Sequence, residues 1–506
     1  GRKPSTKELI NPERVHHWAA DQLAEEYTLL RILDDEEAKA HLYGDIHIHK
    51  LKYFDLRPLS QIWDPRLILK NGIPPVSNMI PCCKSGPANN LNTAIRYLSK
   101  WLSIIQSEFC GYHGFHAINT FLAPYIKNLT TEEIYHGIRD LVYELNQLFI
   151  IIGRDISEIF ISTSPFILED LIETPAIGPH GKVNGVYGDY NEECLKLFDA
   201  ITNVFIDGDF LGNSFNFSKH LVFFNEKWLT ALESAYSKVW EEIKTRQTPY
   251  LLNLCSDWFK DKIKNQMYLS KNSNFGVLQS ICLNLPRLAY LSKDEDNYME
   301  ILEEKLKFCS TILLKKYNII KRRLETNYLP FCSGYVNKHH LFNLDNQEMS
   351  ISFVGLNEAV KFLTNYELHE DSEAFNLGQK IIKRMRKICK ELSDKQDKRY
   401  SLGENSSMKA LERFVRLDLK HFPKFAIPYS KGKSKYYTNS AHFRENIDID
   451  LYEKVIKQGE FHPIMQNLIV EKISLKEFEN YKMNLEDFIK KICTESDIAC
   501  LKFLLK

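Results

Sequence analysis

The sequence lacks the features that mark several large classes of protein. Its 506 residues carry no net charge, because 66 Lys and Arg balance 66 Asp and Glu. An overall electrostatic attraction to nucleic acid or to an anionic membrane therefore gets no support. The longest run of aliphatic and aromatic residues, residues 148–152, has five members, whereas a membrane-spanning helix needs about 20. No signal peptide opens the chain, so we expect no membrane association.

Cysteine pairs at metal-binding spacing are also missing. The 11 cysteines are scattered and no Cys-x-x-Cys occurs, which is typical of reduced thiols in a cytoplasmic protein. The adjacent Cys82 and Cys83 could form a redox-active pair, but buried thiols are the commoner explanation. His47 and His49 would share one face of a strand, yet no third ligand is recognisable. We therefore expect no metal site.

The sequence is rich in material for a hydrophobic core. Hydrophobic residues make up 44% of the chain, which includes 30 Phe and 25 Tyr. Apolar spacing predicts helices at residues 11–40, 92–109 and 130–148, the last opened by the capping box Thr130-x-x-Glu133. Buried strands are predicted at residues 277–290, ending at Pro286, and at residues 351–354. Strands separated by long helices, with no Gly/Ser-rich linker, predict one large α/β domain.

Two local features could contact anions. The loop from Gly178 to Lys182 could present backbone amides to a phosphate, although it fits no known phosphate motif and an ordered surface loop is the simpler interpretation. Residues 315–323 and 380–390 are locally basic and could contact a nucleic-acid backbone. A solvated helix face explains them equally well, and the neutral whole chain favours that interpretation.

A longer series of segments carries more information. The segments, in chain order, are Leu42-Tyr43-Gly44-Asp45-Ile46-His47-Ile48-His49, Trp63-Asp64-Pro65-Arg66-Leu67, Gly86-Pro87-Ala88, Phe121-Leu122-Ala123-Pro124-Tyr125, Tyr187-Gly188-Asp189-Tyr190, Leu283-Asn284-Leu285-Pro286-Arg287-Leu288-Ala289, Val354-Gly355-Leu356-Asn357-Glu358, Tyr437-Thr438-Asn439-Ser440 and Phe461-His462-Pro463. Together they resemble the anaerobic (class III) ribonucleoside-triphosphate reductases. The resemblance implies a ten-stranded α/β barrel of the glycyl-radical type, made of two antiparallel halves and surrounded by helices.

The resemblance also implies radical chemistry, and the residues that this chemistry needs can be sought in the sequence. In that family a C-terminal glycyl radical generates a thiyl radical on a barrel cysteine, a second barrel cysteine helps to reduce the sugar, and a zinc site of Cys-x-x-Cys pairs braces the radical domain. Here Ser60 occupies the first cysteine position. The second, a Cys-Arg pair, corresponds to a stretch around Met267 that has neither residue. We therefore expect no zinc site or glycyl radical, and no intact catalytic residue.

The substrate-phosphate turn of the family is changed but recognisable. It aligns with Asn405-Ser406-Ser407-Met408-Lys409, where Met408 takes the place of a glutamate. The turn precedes a predicted helix, so Asn405, Ser406, Ser407 and Lys409 are candidate phosphate ligands. Asn284 is a further candidate for substrate contact.

These observations predict a cytoplasmic relative of the reductases that is catalytically inactive and keeps a nucleotide-binding, regulatory or structural role. The predicted division is an N-terminal helical segment (1–41), a barrel body (42–470) and a C-terminal helical tail (471–506). Pairing as a homodimer, or with an active paralogue, is expected through the helices at residues 92–109 and 130–148, and docking on a larger assembly is possible. Two alternatives stay open: an active reductase with divergent thiols such as Cys82 or Cys83 and truncated ends, and a nucleic-acid-associated factor.

Overall fold

The computed structural model describes residues 12–76, 83–152, 158–267, 274–336, 339–405, 407–430, 437–445, 447–465, 467–479, 481 and 483–504. Within them the strands are β1 (Ile46–Ile48), β2 (Ser60–Trp63), β3 (His113–Phe115), β4 (Ile159–Thr163), β5 (Pro175–Ile177), β6 (Val183–Val186), β7 (Ser218–Phe224), β8 (Tyr250–Asn253), β9 (Phe275–Asn284), β10 (Tyr335–Val336), β11 (His339–His340), β12 (Gln347–Val354), β13 (Arg399–Gly403), β14 (Val470–Ser474) and β15 (Cys500–Leu504).

The α-helices in the same part of the chain are α1 (Pro12–Tyr27), α2 (Asp35–Tyr43), α3 (Pro65–Asn71), α4 (Leu91–Ile105), α5 (Ile118–Leu122), α6 (Thr131–Ile152), α7 (Glu169–Ile172), α8 (Asn191–Asp207), α9 (Glu233–Arg246), α10 (Asp257–Met267), α11 (Leu285–Leu291), α12 (Glu295–Glu325), α13 (Leu356–Thr364), α14 (Ser372–Gln396), α15 (Met408–His421), α16 (Pro423–Ser430), α17 (Leu451–Gly459), α18 (Phe461–Met465), α19 (Leu475–Glu479) and α20 (Leu485–Glu495). None of the described helices is long and apolar enough to cross a membrane.

Ten strands form one continuous ladder in the order β13-β12-β9-β2-β3-β4-β7-β8-β15-β14. The five strands from β2 to β8 run parallel to one another. The other five run the opposite way, since β9 is antiparallel to β2 and β15 is antiparallel to β8. Glu404, directly after β13, accepts a hydrogen bond of 3.0 Å from Val470 N, the first residue of β14. The two ends of the ladder therefore meet, and the predicted barrel of two antiparallel halves is confirmed.

Helices cover the outside of the barrel with the faces that the sequence predicts. On α4, Ile95, Leu98, Leu102 and Ile105 are buried. The capping box before α6 is present, because Thr130 N donates to the Glu133 carboxylate at 2.8 Å and Glu133 N donates to Thr130 Oγ1 at 3.3 Å. Apolar faces at helical spacing thus pack against the sheet and against each other.

Two predicted elements are wrong in their boundaries. The single helix expected over residues 11–40 breaks at Leu33, which is extended, and Asp34 starts α2 with a capping box formed with Glu37. The strand expected to run to Pro286 ends at Asn284, because the Asn284 side chain accepts from Arg287 N and Pro286 lies in the first turn of α11. In both places an N-cap residue sets the start of a helix, and apolar periodicity alone does not show that boundary.

The sheet also extends past residue 470, where the sequence places the end of the barrel. β14 and β15 are parallel partners, and β15 pairs with β8 of the other half. The reason lies in β15 itself: Cys500, Leu501 and Phe503 are buried, so the strand needs cover on both faces. At the other terminus, α1 has no buried residue.

Candidate functional site

Segments far apart in sequence meet at one edge of the barrel. β9, β12 and β13 are parallel, so Asn284, Val354 and Gly403 end at the same edge. The segment at residues 437–440 closes over them, because Asn439 bridges Val354 and the Thr438 hydroxyl donates to the Glu358 carboxylate at 2.6 Å. Polar groups at the carboxyl ends of parallel strands are the usual location of a ligand site in α/β proteins.

A buried ion pair holds this edge together. Arg287 Nε donates to Asp418 Oδ1 at 2.7 Å, and the other carboxylate oxygen accepts from Asn284 Nδ2 at 2.9 Å and from the Tyr437 hydroxyl at 2.8 Å. Burial raises the pKa of Asp418, and Arg287 opposes that rise. Asn284 Nδ2 also donates to Gly44 O at 3.0 Å. The amide predicted to contact substrate is thus engaged in joining β9 to α15.

The predicted phosphate turn lies directly before α15. Asn405 is buried, and its Nδ2 donates to Ser407 O at 3.1 Å and to Asn439 Oδ1 at 3.2 Å. Ser407 is the N-cap of α15 but makes no side-chain cap hydrogen bond, while Ser406 lies outside the described residues. Met408 is 53% exposed in the first turn. The first amides of a 14-residue helix are thus uncapped by any described side chain, which favours an anion there.

A cluster of three histidines lies beside this helix. The ring centroids of His41 and His47 are 5.5 Å apart, those of His47 and His49 are 5.6 Å apart, and His47 contacts Phe414 of α15. Burial lowers the pKa of His41 to about 3 and that of His49 to about 4. Burial and neighbouring positive groups, among them Arg413 and Lys409, lower the pKa of His47 as well.

The histidine cluster is fixed to α15 by Arg413. Its guanidinium donates to His41 O in α2 and, at 3.4 Å, to Ile46 O in β1. Lys409 and Arg413 are four residues apart, so they share one face of α15. Apart from the histidines themselves, the groups that lower these pKa values are the cations Arg413, Lys409 and Lys50, and such surroundings suit an anionic ligand. The sequence singled out His47 and His49 as a pair but missed His41 and Arg413, whose role depends on tertiary contacts.

Ser60 begins β2 and is completely buried. Trp63, three residues on, packs against Trp101 of α4 outside the barrel, so Ser60 points to the interior because side chains alternate along a strand. There it lies beside Tyr112, whose pKa is raised by burial, and the nearby Ser60 side chain partly opposes that rise. The Tyr112 ring contacts Phe160 at 5.3 Å.

No thiol replaces the expected cysteines in the neighbouring elements. β2 and α10 contain no cysteine, and Met267 is the last residue of α10. Cys282 of β9 is opposite His47, and burial raises the pKa of Cys282 to about 12. Cys83 is exposed, while Cys82 lies outside the described residues. A zinc site of paired Cys-x-x-Cys does not fit the 506 residues, which contain no such pair.

Several cations of the two basic stretches are paired with acids. On α14, Lys380 lies beside Glu295 and Arg384 beside Glu303. On α12, Lys315 pairs with Glu37. These contacts reduce the charge available to a nucleic-acid backbone.

One group of three possible metal ligands occurs in the described residues: Glu367, His369 and Glu370. Lys361 Nζ lies 2.8 Å and Arg444 Nε lies 3.1 Å from the Glu367 carboxylate. Those cations already neutralise the buried carboxylate and would repel a metal ion. The group therefore does not support a metal site.

The helices expected to pair two copies, α4 and α6, pack on each other within the molecule. Their outward residues include Arg96, Lys100, Glu132 and Asp140, which are exposed and charged. A pairing through this surface would be polar, and it stays a prediction.

The barrel and its edge site define a class of protein: a ten-stranded α/β barrel of two antiparallel halves with an anion-compatible helix N-terminus at one edge. Residues 5–504 match the model of the family described as anaerobic ribonucleoside-triphosphate reductase, and the chain belongs to that family.

Individual relatives agree with this membership. The chain is 23% identical to the anaerobic ribonucleoside-triphosphate reductase of Salmonella typhimurium, covering 92% of this chain and 68% of the relative. It is 22% identical to that of Enterobacteria phage T4, covering 88% and 77%. Among solved structures, the Thermotoga maritima anaerobic ribonucleotide reductase with glycerol in the active site superposes with a TM-score of 0.80 at 17% identity, covering 98% of this chain and 83% of that chain. The same enzyme with citrate in the active site gives 0.78 at 15%, covering 98% and 91%. At such identities the structures show the shared fold.

Proposed function

We propose that this chain is an anaerobic ribonucleotide reductase homologue that binds nucleotide or phosphate but does not reduce it, and that it serves a regulatory or structural role. The observation that carries the proposal is Ser60, which is buried at the interior start of β2 where the family resemblance implies a reactive cysteine. The O–H bond of an alcohol is much stronger than the S–H bond of a thiol, so serine cannot relay a radical in place of cysteine.

Nearby thiols do not offer a substitute. The described cysteine in β9, Cys282, lies in a cluster with Val354 and Phe414 at the edge of the barrel, and burial raises the pKa of its thiol to about 12. A radical relay needs its members in line, and neither β2 nor α10 supplies one. The alternative, an active reductase with divergent thiols, therefore rests on cysteines outside these elements.

The binding half of the proposal rests on α15. Ser407 at its start makes no side-chain cap hydrogen bond, and Lys409 and Arg413 both lie near enough to His47 to lower its pKa. The helix dipole and the two cations both favour an anion, so the proposed contacts are to the phosphate of a nucleotide and not to its base. We expect base-indifferent binding nearer millimolar than micromolar, about −4 to −6 kcal/mol.

The activity test supplies the full chain with a radical activase, S-adenosylmethionine, reductant and ribonucleoside triphosphates. We expect no deoxyribonucleotide and no glycyl-radical signal on this polypeptide. Ser60→Cys is the matched variant and should also be inactive, because the Cys-Arg pair is still missing. Product from the unaltered chain would support the active-reductase alternative instead.

The binding test is calorimetric titration with ATP, GTP and inorganic pyrophosphate. Lys409→Glu places a like charge at the anion and should abolish the heat of binding, while Lys420→Glu at the other end of the same helix should not. Tight, base-selective binding that survives Lys409→Glu would locate the ligand elsewhere.

A further inference from the structure

The two-stranded sheet of β5 and β6 contains one of the two Asn-Gly pairs of the sequence, which are Asn71-Gly72 and Asn184-Gly185. An Asn side chain loses its amide group when the backbone nitrogen of the next residue attacks the side-chain carbonyl carbon. Glycine hinders this attack least, because it has no side chain and the widest choice of backbone conformations. Whether such a pair reacts in a folded protein therefore depends on how firmly the fold holds that nitrogen and that amide.

The fold holds Asn71-Gly72 firmly. Asn71 is the last residue of α3, and its Nδ2 donates to Leu67 O at 2.7 Å. Gly72 N donates to Ile68 O at 2.9 Å, and a Cβ built at Gly72 would lie 2.2 Å from Ser85 O. Both reacting groups of this pair are thus engaged in hydrogen bonds, and a neighbouring backbone segment covers the glycine.

Asn184-Gly185 lies in looser surroundings. Both residues are exposed, and the side-chain amide of Asn184 makes no hydrogen bond to another described residue. The register of β5 and β6 is irregular at this point, so that Asn184 and Gly185 lie opposite the single residue Ala176. Gly185 has a φ of +71°, as expected for a glycine in a β-bulge. The side chain that must rotate for the reaction is therefore free to do so.

The sheet that carries Asn184 also opens at low cost. β5 and β6 form a sheet of their own, separate from the barrel ladder, and a pair of strands without further partners is only marginally stable. Three of the four residues of β6 are exposed. Local opening of this kind governs reactions that need a changed backbone conformation. We therefore expect the two Asn-Gly pairs to differ in reactivity although their sequences are the same.

We propose that Asn184 is a site of spontaneous deamidation in the folded protein. The Gly185 nitrogen gives its proton to water and bonds to Cγ of Asn184, and the side-chain amide leaves as ammonia. Water then opens the five-membered imide ring at either of its two carbonyl carbons, which yields aspartate or isoaspartate. The net reaction converts an amide and water into a carboxylate and ammonium, so it needs no oxidant, reductant or cofactor.

The product changes the hairpin around the glycine loop, Gly178 to Lys182. Asn184 O accepts from the Tyr190 hydroxyl at 2.9 Å, and isoaspartate displaces this carbonyl because it lengthens the main chain by one carbon. The loop at the tip of the hairpin contacts the rest of the molecule through His180 N, which donates to Ala88 O at 2.7 Å. Ala88 lies three residues before α4. A deamidated chain therefore holds the loop less firmly, and it carries one negative charge where the unmodified chain carries none.

Peptide mapping of the aged protein tests the site. The full chain is kept in native buffer at neutral pH, sampled over time, digested and analysed by chromatography and mass spectrometry. We expect Asn184 to convert about tenfold or more faster than Asn71, because conversion at Asn71 first breaks two hydrogen bonds at the end of α3. In urea the two pairs should react at similar rates, since both are then part of an unfolded chain. Equal rates in the folded chain overturn the proposal, as does an Asn184 that stays intact while the urea sample reacts.

Asn184→Gln is the control for the effect on the hairpin, because glutamine would have to cyclise through a less favourable six-membered ring. The aged unaltered chain should gain an acidic species on ion exchange, and amide hydrogen exchange at residues 178–182 should be faster in that species than in the fresh chain. Aged Asn184→Gln should show neither change. An acidic species of equal amount from Asn184→Gln would place the reaction at another residue, and unchanged hydrogen exchange in the purified acidic species would refute the effect on the loop. None of these outcomes depends on nucleotide binding or on reductase activity.

Discussion

His442 joins the two ends of the barrel ladder through charge. Its Nε2 lies 3.1 Å from Glu404 Oε1, and its Nδ1 lies 3.7 Å from Glu471 Oε2. Burial alone would lower the pKa of His442, but the hydrogen bond to Glu404 and the nearby carboxylate of Glu471 outweigh it and raise the pKa to about 9. Glu404 follows β13 and Glu471 lies in β14, the two end strands of the ladder. The protonated imidazole therefore stabilises the barrel between two strands that are not joined by a backbone hydrogen-bond ladder.

The raised pKa predicts a loss of stability at alkaline pH. The folded value lies above the unfolded value of about 6.5, so the contribution is complete below pH 6.5 and is lost as the pH rises through about 9. It is on the order of 3 kcal/mol at most. Urea denaturation at pH 6.5 and pH 9.5 should show this loss in the unaltered chain and a smaller one in His442→Gln. The exposed His136→Gln is the control, and parallel pH profiles for all three proteins would refute the role of His442.

For single residues, the sequence predicts that a position has a role more reliably than it predicts what the role is. Asn284 lies in a recognisable segment and was a candidate for substrate contact, yet its amide caps α11 and bonds to Asp418. His442 gives no signal at all, because its partners come from strands on either side of it in the sequence. The role given to Ser60 stays a prediction, because it rests on the family resemblance and not on a contact in the structure.

Among the elements, β2 and β9 form the junction between the two half-barrels. Gly276 of β9 pairs with Gln61 of β2 and with Gln347 of β12. A Cβ at position 276 would lie 2.0 Å from Ser60 O, 2.7 Å from Gln61 Oε1 and 2.8 Å from Gln347 Oε1. The first of these is a backbone atom, which cannot move without displacing β2.

Gly276→Ala should therefore separate the halves at this junction. We expect a decrease of about 1–3 kcal/mol or more in the free energy of unfolding, the usual cost of overpacking a buried site. Gly86→Ala is a matched control, because no heavy atom lies within 4 Å of a Cβ built there, and it should be neutral or slightly stabilising. Equal effects of the two substitutions in urea denaturation would show that the junction tolerates a side chain.

Helices and strands were predictable where apolar spacing dominates, as along α4 and β12. Their ends were not, because they depend on single hydrogen bonds such as that of Asp34 with Glu37 N. The barrel of ten strands in two antiparallel halves followed from the family resemblance. Apolar spacing does not show which strands are neighbours. β15 pairs with β8, for example, although the two are far apart in sequence: Asn253 N donates to Ala499 O, 246 positions further along the chain.

For the molecule as a whole, buried neutral histidines predict sensitivity to acid. Burial lowers the pKa of His41, His47, His49, His113, His116 and His462. In the unfolded chain these groups take up protons near pH 6.5, while in the folded chain they do not. Stability is thus present above about pH 6.5 and lost as the pH falls, by about 1.4 kcal/mol per pH unit for each histidine.

Three carboxyl groups act in the opposite direction, because burial raises the pKa of Glu108, Glu358 and Asp418. They are fewer than the six histidines, so the net effect below pH 6.5 is destabilising. The free energy of unfolding should fall steeply between pH 6.5 and pH 5, and His49→Gln should reduce that slope by about 1.4 kcal/mol per pH unit. A flat profile over this range would mean that the imidazoles are solvated in the folded protein.

The hydrogen-bond network around Asp418 limits which substitutions the chain can accept during evolution. Arg287 and Tyr437 belong to segments shared with the reductases, and both bond to Asp418. Breaking a buried pair of this kind costs about 3–5 kcal/mol, a large part of the about 5–15 kcal/mol by which a domain is stable, so selection for folding alone acts against it. Ser60 differs from cysteine by one atom, and folding does not distinguish them at that cost. Selection for folding alone would therefore preserve the scaffold that carries the family likeness, whether or not a reactive thiol is kept.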